Sequence, residues 1–284
     1  MIDVRDLKFT YAASDVAAVR GLDFSVDPGE IFGFLGPSGA GKSTTQKILI
    51  GLLEGYGGQA RVLGKEVRTW TGVEYERIGV SFETPNHFLK LTALENLRYF
   101  SRLYAGETRD PGRLLDAVGL DGEGDRLVGQ YSRGMRSRLS IARSLLCNPD
   151  LLFFDEPTSG LDPVNVRRVA DLIRDERAAG RTVFLTTHDM ATADDLCDRV
   201  AFIVDGRIAC IDSPRALRLQ NGERTVRVEY RNAGGIGHAD FPLDGLADDA
   251  AFHQLLRERE VETIHTREAA LSDIFIRVTG HPLV

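Results

Sequence analysis

Hydrophobic and polar positions alternate in two different rhythms along this chain. Leu22, Phe24 and Val26 are separated by polar residues, the period-two pattern of a strand with one buried face. Asp27-Pro28-Gly29-Glu30 follows as a turn. Ile31-Phe32-Gly33-Phe34-Leu35 is instead a continuous apolar run, as expected of a strand buried on both faces. A helix is expected from Lys42, with Ile48, Leu49, Leu52 and Leu53 on its buried side. Residues 91–146 read as helical, with breaks at Asp110-Pro111-Gly112 and Asp121-Gly122. Apolar strand patterns return at 151–154, 183–186 and 200–204, and a helix over 164–178 lies between the first two. The sum is an α/β core of strand-helix-strand type with a helical insert at about 88–147. Residues 219–284 differ and read as a small α+β extension to the part spanning 1–218. There Val226, Val228 and Tyr230 alternate with polar residues, 233–237 reads as a loop, and Leu271, Ile274, Phe275 and Val278 fall at helical spacing.

Candidate chemistry sits where apolar runs end. Gly36-Pro37-Ser38-Gly39-Ala40-Gly41-Lys42-Ser43-Thr44 directly follows the first buried strand and opens a helix. Gly36, Gly41, Lys42 and Ser43 match the spacing of a phosphate-cradling loop, in which glycines let several backbone N–H groups point at one anion. The helix adds its positive dipole end. Lys42 is placed to reach the β- and γ-phosphates, Ser43 to ligate magnesium and Thr44 to add a phosphate contact. The run Leu151-Leu152-Phe153-Phe154 ends in Asp155 and Glu156. Asp155 is placed to hold magnesium, and Glu156 to orient or deprotonate an attacking water.

Composition narrows the class. The 284 residues are 43% hydrophobic and 27% charged, ordinary values for a globular protein. A net charge of −7 without a basic tract argues against nucleic acid as a partner. Cys147, Cys197 and Cys210 lack metal-ligand spacing and read as reduced thiols, which favours a cytosolic setting. No apolar run approaches the ~18 residues of a membrane span. The start, MIDVRDLKFTY, lacks the basic flank and apolar stretch of a signal peptide.

Ser132-Arg133-Gly134-Met135 lies between the phosphate loop and Asp155, and the three in this order resemble the ATP-binding-cassette family over about residues 1–215. The resemblance implies a P-loop NTPase: a RecA-like core, an N-terminal antiparallel β subdomain and a helical signature subdomain. It also implies that Ser132, Arg133, Gly134 and Met135 form the signature that binds the γ-phosphate held by an opposing subunit. Ser132 suits that role as the cap of a helix with apolar positions Met135, Leu139, Ala142, Leu145 and Leu146. Ser159-Gly160-Leu161-Asp162 resembles the D-loop that joins the two sites. His188 resembles the switch histidine, and Tyr11 the aromatic that stacks on adenine.

Two positions depart from the family pattern. Glu83 stands where glutamine is usual, beside the magnesium and on the link to a membrane partner. At ~4 Å and an effective dielectric near 20, its attraction to the cation and repulsion of the γ-phosphate are each about 4 kcal/mol, so charge alone does not sign the effect. Arg133 replaces the first signature glycine. Glu83-Thr84-Pro85, the segment 91–97, the signature and Leu271-Ser272-Asp273-Ile274-Phe275 are similar to cassettes of bacitracin, lantibiotic and daunorubicin-resistance exporters. The resemblance implies an ATP- and magnesium-dependent ATPase that energises a separate integral membrane permease. It would pair with a second copy or a paralogue, at the cytoplasmic face of the cell membrane. The permease would dock at about residues 86–104. The alternative from another class is a non-transport cassette, an ATP-gated clamp on a soluble partner.

Overall fold

A computed structural model describes residues 1–221, 225–232, 235–267 and 269–282. In chain order, β1 (Ile2–Phe9), β2 (Val19–Val26) and β3 (Ile31–Leu35) lead into α1 (Lys42–Leu49). Then come β4 (Gly57–Val62), β5 (Lys65–Glu66) and β6 (Ile78–Ser81). The helices α2 (Ala93–Ser101), α3 (Pro111–Ala117) and α4 (Arg133–Ser144) form the insert. The core resumes with β7 (Leu151–Asp155), α5 (Pro163–Ala178), β8 (Thr182–Thr187), α6 (Met190–Leu196), β9 (Arg199–Val204), β10 (Arg207–Asp212) and α7 (Pro214–Asn221). The C-terminal part holds β11 (Thr225–Asn232), β12 (Gly235–Pro242), α8 (Ala250–Glu258), β13 (Val261–Arg267) and α9 (Leu271–Thr279).

The strands form three sheets, ordered β2-β1-β4-β5, β10-β9-β3-β8-β7-β6 and β12-β11-β13. The six-stranded sheet is parallel except at its β10 edge. Its two faces sort the side chains by parity. Phe32, Phe34 and Phe184 meet Phe24 of the antiparallel sheet, and Phe153 meets Phe184, with ring centroids 5.5–6.2 Å apart. Ile31, Leu35, Leu152, Phe154 and Leu185 face the helices. Gly33 is required by close approach, because a Cβ there would stand 2.7 Å from the buried Cys197 sulfur. The register brings the strand ends level: Leu35 pairs with Thr187, Asp155 with Thr186, and Ser81 with Phe154. Loops leaving these ends converge on one crevice, where open parallel sheets bind ligands.

Three local expectations need correction. Helix α1 stops at Leu49, and Gly51 takes a left-handed φ of 74°, so Leu52 turns to solvent at 57% exposure and Leu53 is only half-buried. Asp110-Pro111-Gly112 starts a helix rather than breaking one. The Asp110 carboxylate accepts from the Arg113 N–H, and Pro111 occupies the first turn, where no N–H is needed. Of the expected loop at 233–237, Ala233 and Gly234 lie outside the described residues, while Gly235 to Gly237 begin β12. Gly237 faces Tyr230 across the ladder, and a Cβ there would come 3.0 Å from the tyrosine ring.

The C-terminal part is divided in its packing. The sheet β12-β11-β13 and α8 share a small core of Val226, Val228 and Phe241 with Phe252 and Leu255. Helix α9 instead returns to the main body. Leu271, Ile274 and Phe275 join the large cluster, and Phe275 meets Phe202 edge-on at 5.0 Å.

Gln46 is an exception to apolar packing. It is 1% exposed on α1, and both its amide atoms lack a partner among the described residues. A buried polar group without a partner costs about 1–3 kcal/mol. Gln46→Met, which nearly keeps the volume, is expected to raise the urea midpoint of unfolding. A midpoint at or below that of the parent would reject this account.

Candidate active site

The phosphate loop is shaped by contacts that exclude side chains. A Cβ on Gly36 would lie 2.1 Å from the Ile203 carbonyl oxygen, and one on Gly41, at φ 106°, 2.6 Å from that of Ala18. Ala40 is buried, and its carbonyl accepts from the Gly206 N–H at 3.0 Å. Gly36, Pro37 and Ala40 therefore shape the loop. Ser38, Gly39, Gly41, Lys42, Ser43 and Thr44 line the cleft it encloses, with Glu83, Asp155, Glu156 and His188 opposite.

Lys42 is folded back on its own loop. Its ammonium donates to the carbonyls of Gly36 at 2.6 Å and Pro37 at 3.1 Å, and lies 4.0 Å from Glu156 Oε1. Burial pushes its pKa below the ordinary lysine value, against the pull of Glu156, Asp155 and Glu83. Ser43 Oγ donates to Asp155 Oδ1 at 3.3 Å, and the Thr186 hydroxyl donates to the same oxygen. Glu156 sits just past the strand with a left-handed φ of 51°, a backbone state uncommon for any residue but glycine. Its Oε1 lies 2.8 Å from His188 Nδ1, and its Oε2 accepts from the Thr187 hydroxyl at 3.0 Å. The carboxylate is thus held from two sides in a strained turn.

The donor set fits magnesium. Ser43 and Asp155 are hydrogen-bonded, Glu83 lines the same cleft, and all three offer hard oxygen ligands. Among the described residues, no group of three or more His, Cys, Asp or Glu side chains forms an all-protein metal cage. That suits a cation that completes its shell with substrate phosphates and water. Three carboxylates against one ammonium would also repel a nucleotide that arrived without a cation.

The remaining expected residues lie outside this cleft. Tyr11, 39% exposed, is tied to its rim by a 3.1 Å hydrogen bond between its hydroxyl and that of Thr44. Ser132 caps α4, its Oγ accepting from the Met135 N–H at 3.2 Å. None of Ser132, Arg133, Gly134 and Met135 lines the cleft, and Arg133 and Gly134 meet the 159–162 loop instead. A Cβ on Gly134 would stand 3.2 Å from Leu161, and one on Gly160 3.8 Å from Arg133 Nε. Asp162 caps α5 through the N–H groups of Val164 and Asn165, and Ser159 closes the turn by donating its N–H to the Glu156 carbonyl at 3.1 Å.

Sequence reasoning passed over several supports. Thr186 and Thr187 read only as the end of a strand, yet two hydroxyls at 0% exposure in an apolar run signal a hydrogen-bonding duty. Ser81 Oγ donates to Ser140 Oγ at 3.0 Å, joining β6 to α4. Asn96, also 0% exposed, holds the segment before α2, accepting from the Phe88 N–H and donating to the carbonyls of Phe88 and Thr92 at 2.8–3.0 Å.

Known proteins share this arrangement. The family described as "ABC transporter" matches residues 19–159. A fluoroquinolones export ATP-binding protein of Mycobacterium tuberculosis is 62% identical over 284 residues, covering 100% of this chain and 94% of its own length. This chain belongs to the ABC transporter ATPase family. The daunorubicin/doxorubicin resistance ATP-binding protein of Streptomyces peucetius is 37% identical, over 93% of this chain and 88% of that protein. A dimeric post-hydrolysis ATP-binding cassette holding ADP and Pi matches with a TM-score of 0.69 at 26% identity, covering 76% of this chain and 99% of that one. The family "Fluoroquinolone efflux ABC transporter C-terminal domain" matches residues 224–268. As an ABC ATPase, the chain binds and hydrolyses ATP and energises a separate membrane permease.

If Thr187 aims Glu156, Thr187→Val is expected to lower kcat about tenfold, the scale of one hydrogen bond to a charged group. ATP affinity, read by equilibrium titration, should change little. An unaltered kcat would remove Thr187 from the catalytic arrangement.

Proposed function

We propose that this chain is the ATPase subunit of a drug exporter at the inner face of the cell membrane, and that two cassettes close around two magnesium–ATP complexes. The observation that carries the reading is Glu156, fixed by Thr187 and His188 and facing Lys42 across the phosphate loop. In this reading the loop N–H groups and Lys42 bind the β- and γ-phosphates, and the Tyr11 ring stacks on adenine. Ser43 and Asp155, with Glu83 nearby, hold the magnesium, which neutralises charge on the phosphoryl oxygens when bound. Glu156 takes the proton of the attacking water, and His188 steadies the γ-phosphate. Ser132, Arg133, Gly134 and Met135 reach the γ-phosphate of the opposing cassette, and Ser159, Gly160, Leu161 and Asp162 join the two sites. The drug class is suggested by the names of the relatives, which export fluoroquinolones or confer daunorubicin resistance. We take the cassette as residues 1–218 and the extension as 219–284.

The docking surface is the segment 86–104. Phe88, Leu89 and Tyr99 are 45–50% exposed around a groove completed by Lys90 and Leu91. The Phe88 ring packs edge-on to Tyr99 at 5.0 Å. This segment is stitched to the signature helix α4 and the turn before it. The His87 ring bonds the Arg136 carbonyl at 2.9 Å, and Arg143 donates to the Asn86 carbonyl at 2.7 Å. The N–H groups of Gly129 and Val128 donate to the carbonyls of Leu89 and Leu91 at 2.9 and 3.0 Å. A permease helix pressing on Phe88 and Leu89 would therefore bear on Ser132 through short, directional bonds.

Glu156→Gln is expected to retain ATP binding and to lose about 10²–10⁴ in turnover, the range for a lost general base. Near-normal ATPase activity in that variant would overturn the assignment. Leu89→Glu in the Glu156→Gln background should abolish ATP-dependent co-purification of the permease from detergent-solubilised membranes. Undiminished recovery would place docking elsewhere, and recovery of soluble partners alone would favour the clamp reading.

A further inference from the structure

We propose that a second cavity, remote from the ATP cleft, binds small aromatic zwitterions, molecules whose planar ring carries both a carboxylate and an amine. The cavity has a volume of about 440 Å³ and lies beyond the carboxyl end of α1. None of its lining residues also lines the phosphate cleft, which opens at the other end of that helix. Its volume falls within the ~300–1,000 Å³ usual for small-molecule sites.

The walls are aromatic; the Tyr56 hydroxyl is engaged by Glu66 Oε1 at 2.8 Å, while three other polar side chains keep donors or charge in reserve. Tyr56, Trp70 and Tyr75 line the cavity, with Trp70 and Tyr75 packed edge to face at 5.5 Å. Gly51, at φ 74°, keeps the space beside the Tyr75 hydroxyl open, since a Cβ there would come within 2.9 Å of it. The Trp70 indole N–H is buried and has no acceptor among the described residues. A buried donor without a partner is rare in folded proteins. The Arg68 guanidinium lies 4.0 Å over the Tyr56 ring and donates to the Tyr56 carbonyl, yet no carboxylate among the described residues pairs with it. Glu54 lines the same cavity and has no cationic partner among the described residues.

These groups define the ligand. A flat ring packs against the aromatic walls. A carboxylate on it faces Arg68, whose remaining donors suit two-point binding, and can also accept from the Trp70 N–H. An amine on it faces Glu54. A neutral aromatic would leave both charges unused, and a ligand of single charge would leave one.

Trp70 is the chain's only tryptophan, so its emission reports this cavity without engineering. The full chain would be titrated with 4-(aminomethyl)benzoate, and separately with 4-methylbenzoate and 4-methylbenzylamine, which each keep one charge. The expected result is a saturable emission change with the zwitterion, bound at least about tenfold more tightly than either single-charge probe. Arg68→Gln and Glu54→Gln, both surface changes checked for fold by circular dichroism, should each weaken the zwitterion about tenfold. No saturable change, equal affinity for the three probes, or full affinity in both variants would overturn the proposal. ATP binding and turnover do not enter the readout, so failure here leaves the ATPase reading untouched.

Discussion

Everything in this cassette depends on holding three carboxylates and one ammonium at the mouth of a parallel sheet without letting them neutralise one another. Left to relax, Lys42 and Glu156 would form a close ion pair and fill the space a phosphate needs. The fold prevents this by giving Lys42, Glu156 and Asp155 each a prior engagement. The Lys42 ammonium is bonded to the carbonyls of Gly36 and Pro37 and stays 4.0 Å from Glu156. Thr187 and His188 hold Glu156, while Thr186 and Ser43 hold Asp155. Apart from Ser43 on α1, these supports come from strand ends and the residues just past them, so the level register of β3, β7 and β8 is what sets the charge geometry. Preorganised charge of this kind spares reorganisation at the moment of reaction.

The same arrangement leaves the active site half built. Ser132 and its helix dipole form an anion site, but the chain turns that end of α4 against its own loop at 159–162 and away from its own cleft. In the reading proposed here, the site is completed when a second cassette presents the same surface. The segment 86–91 adds directionality, because its Asn86, Leu89 and Leu91 carbonyls are bound by groups on α4 and the turn before it, and its His87 ring bonds the Arg136 carbonyl. In the docking reading proposed here, force on the exposed Phe88 and Leu89 would meet few soft bonds before it reached Ser132.

Much of this was legible in the sequence because it rests on local rules. The run 31–35 could only be a strand buried on both faces, and a glycine-rich loop directly after it has one well-understood use. Asp155 and Glu156 were legible for the same reason, as acids ending an apolar run. Errors arose where local signals are ambiguous. Proline after aspartate marks a turn and a helix start equally well, and the capping bond that decides between them at Asp110 needs coordinates. The amphipathic spacing of Leu52 and Leu53 continued a pattern that the backbone had already broken at Gly51. The supports from Thr186 and Ser81 stayed invisible for a different reason: each joins elements distant in sequence, and a buried hydroxyl announces no partner by itself.

Helix α9 shows how the extension is tied to the machine. The small sheet has a core of three buried side chains, less than an independent domain normally requires. Its closing helix supplies what is missing by inserting Leu271, Ile274 and Phe275 between α6 and α7 and against Phe202 of β9. Strand β9 is the neighbour of β3, whose end carries the phosphate loop. The Ile203 carbonyl on β9 is also the atom that forbids a side chain at Gly36. The extension is therefore anchored one strand position from β3, on the element that moulds the phosphate loop.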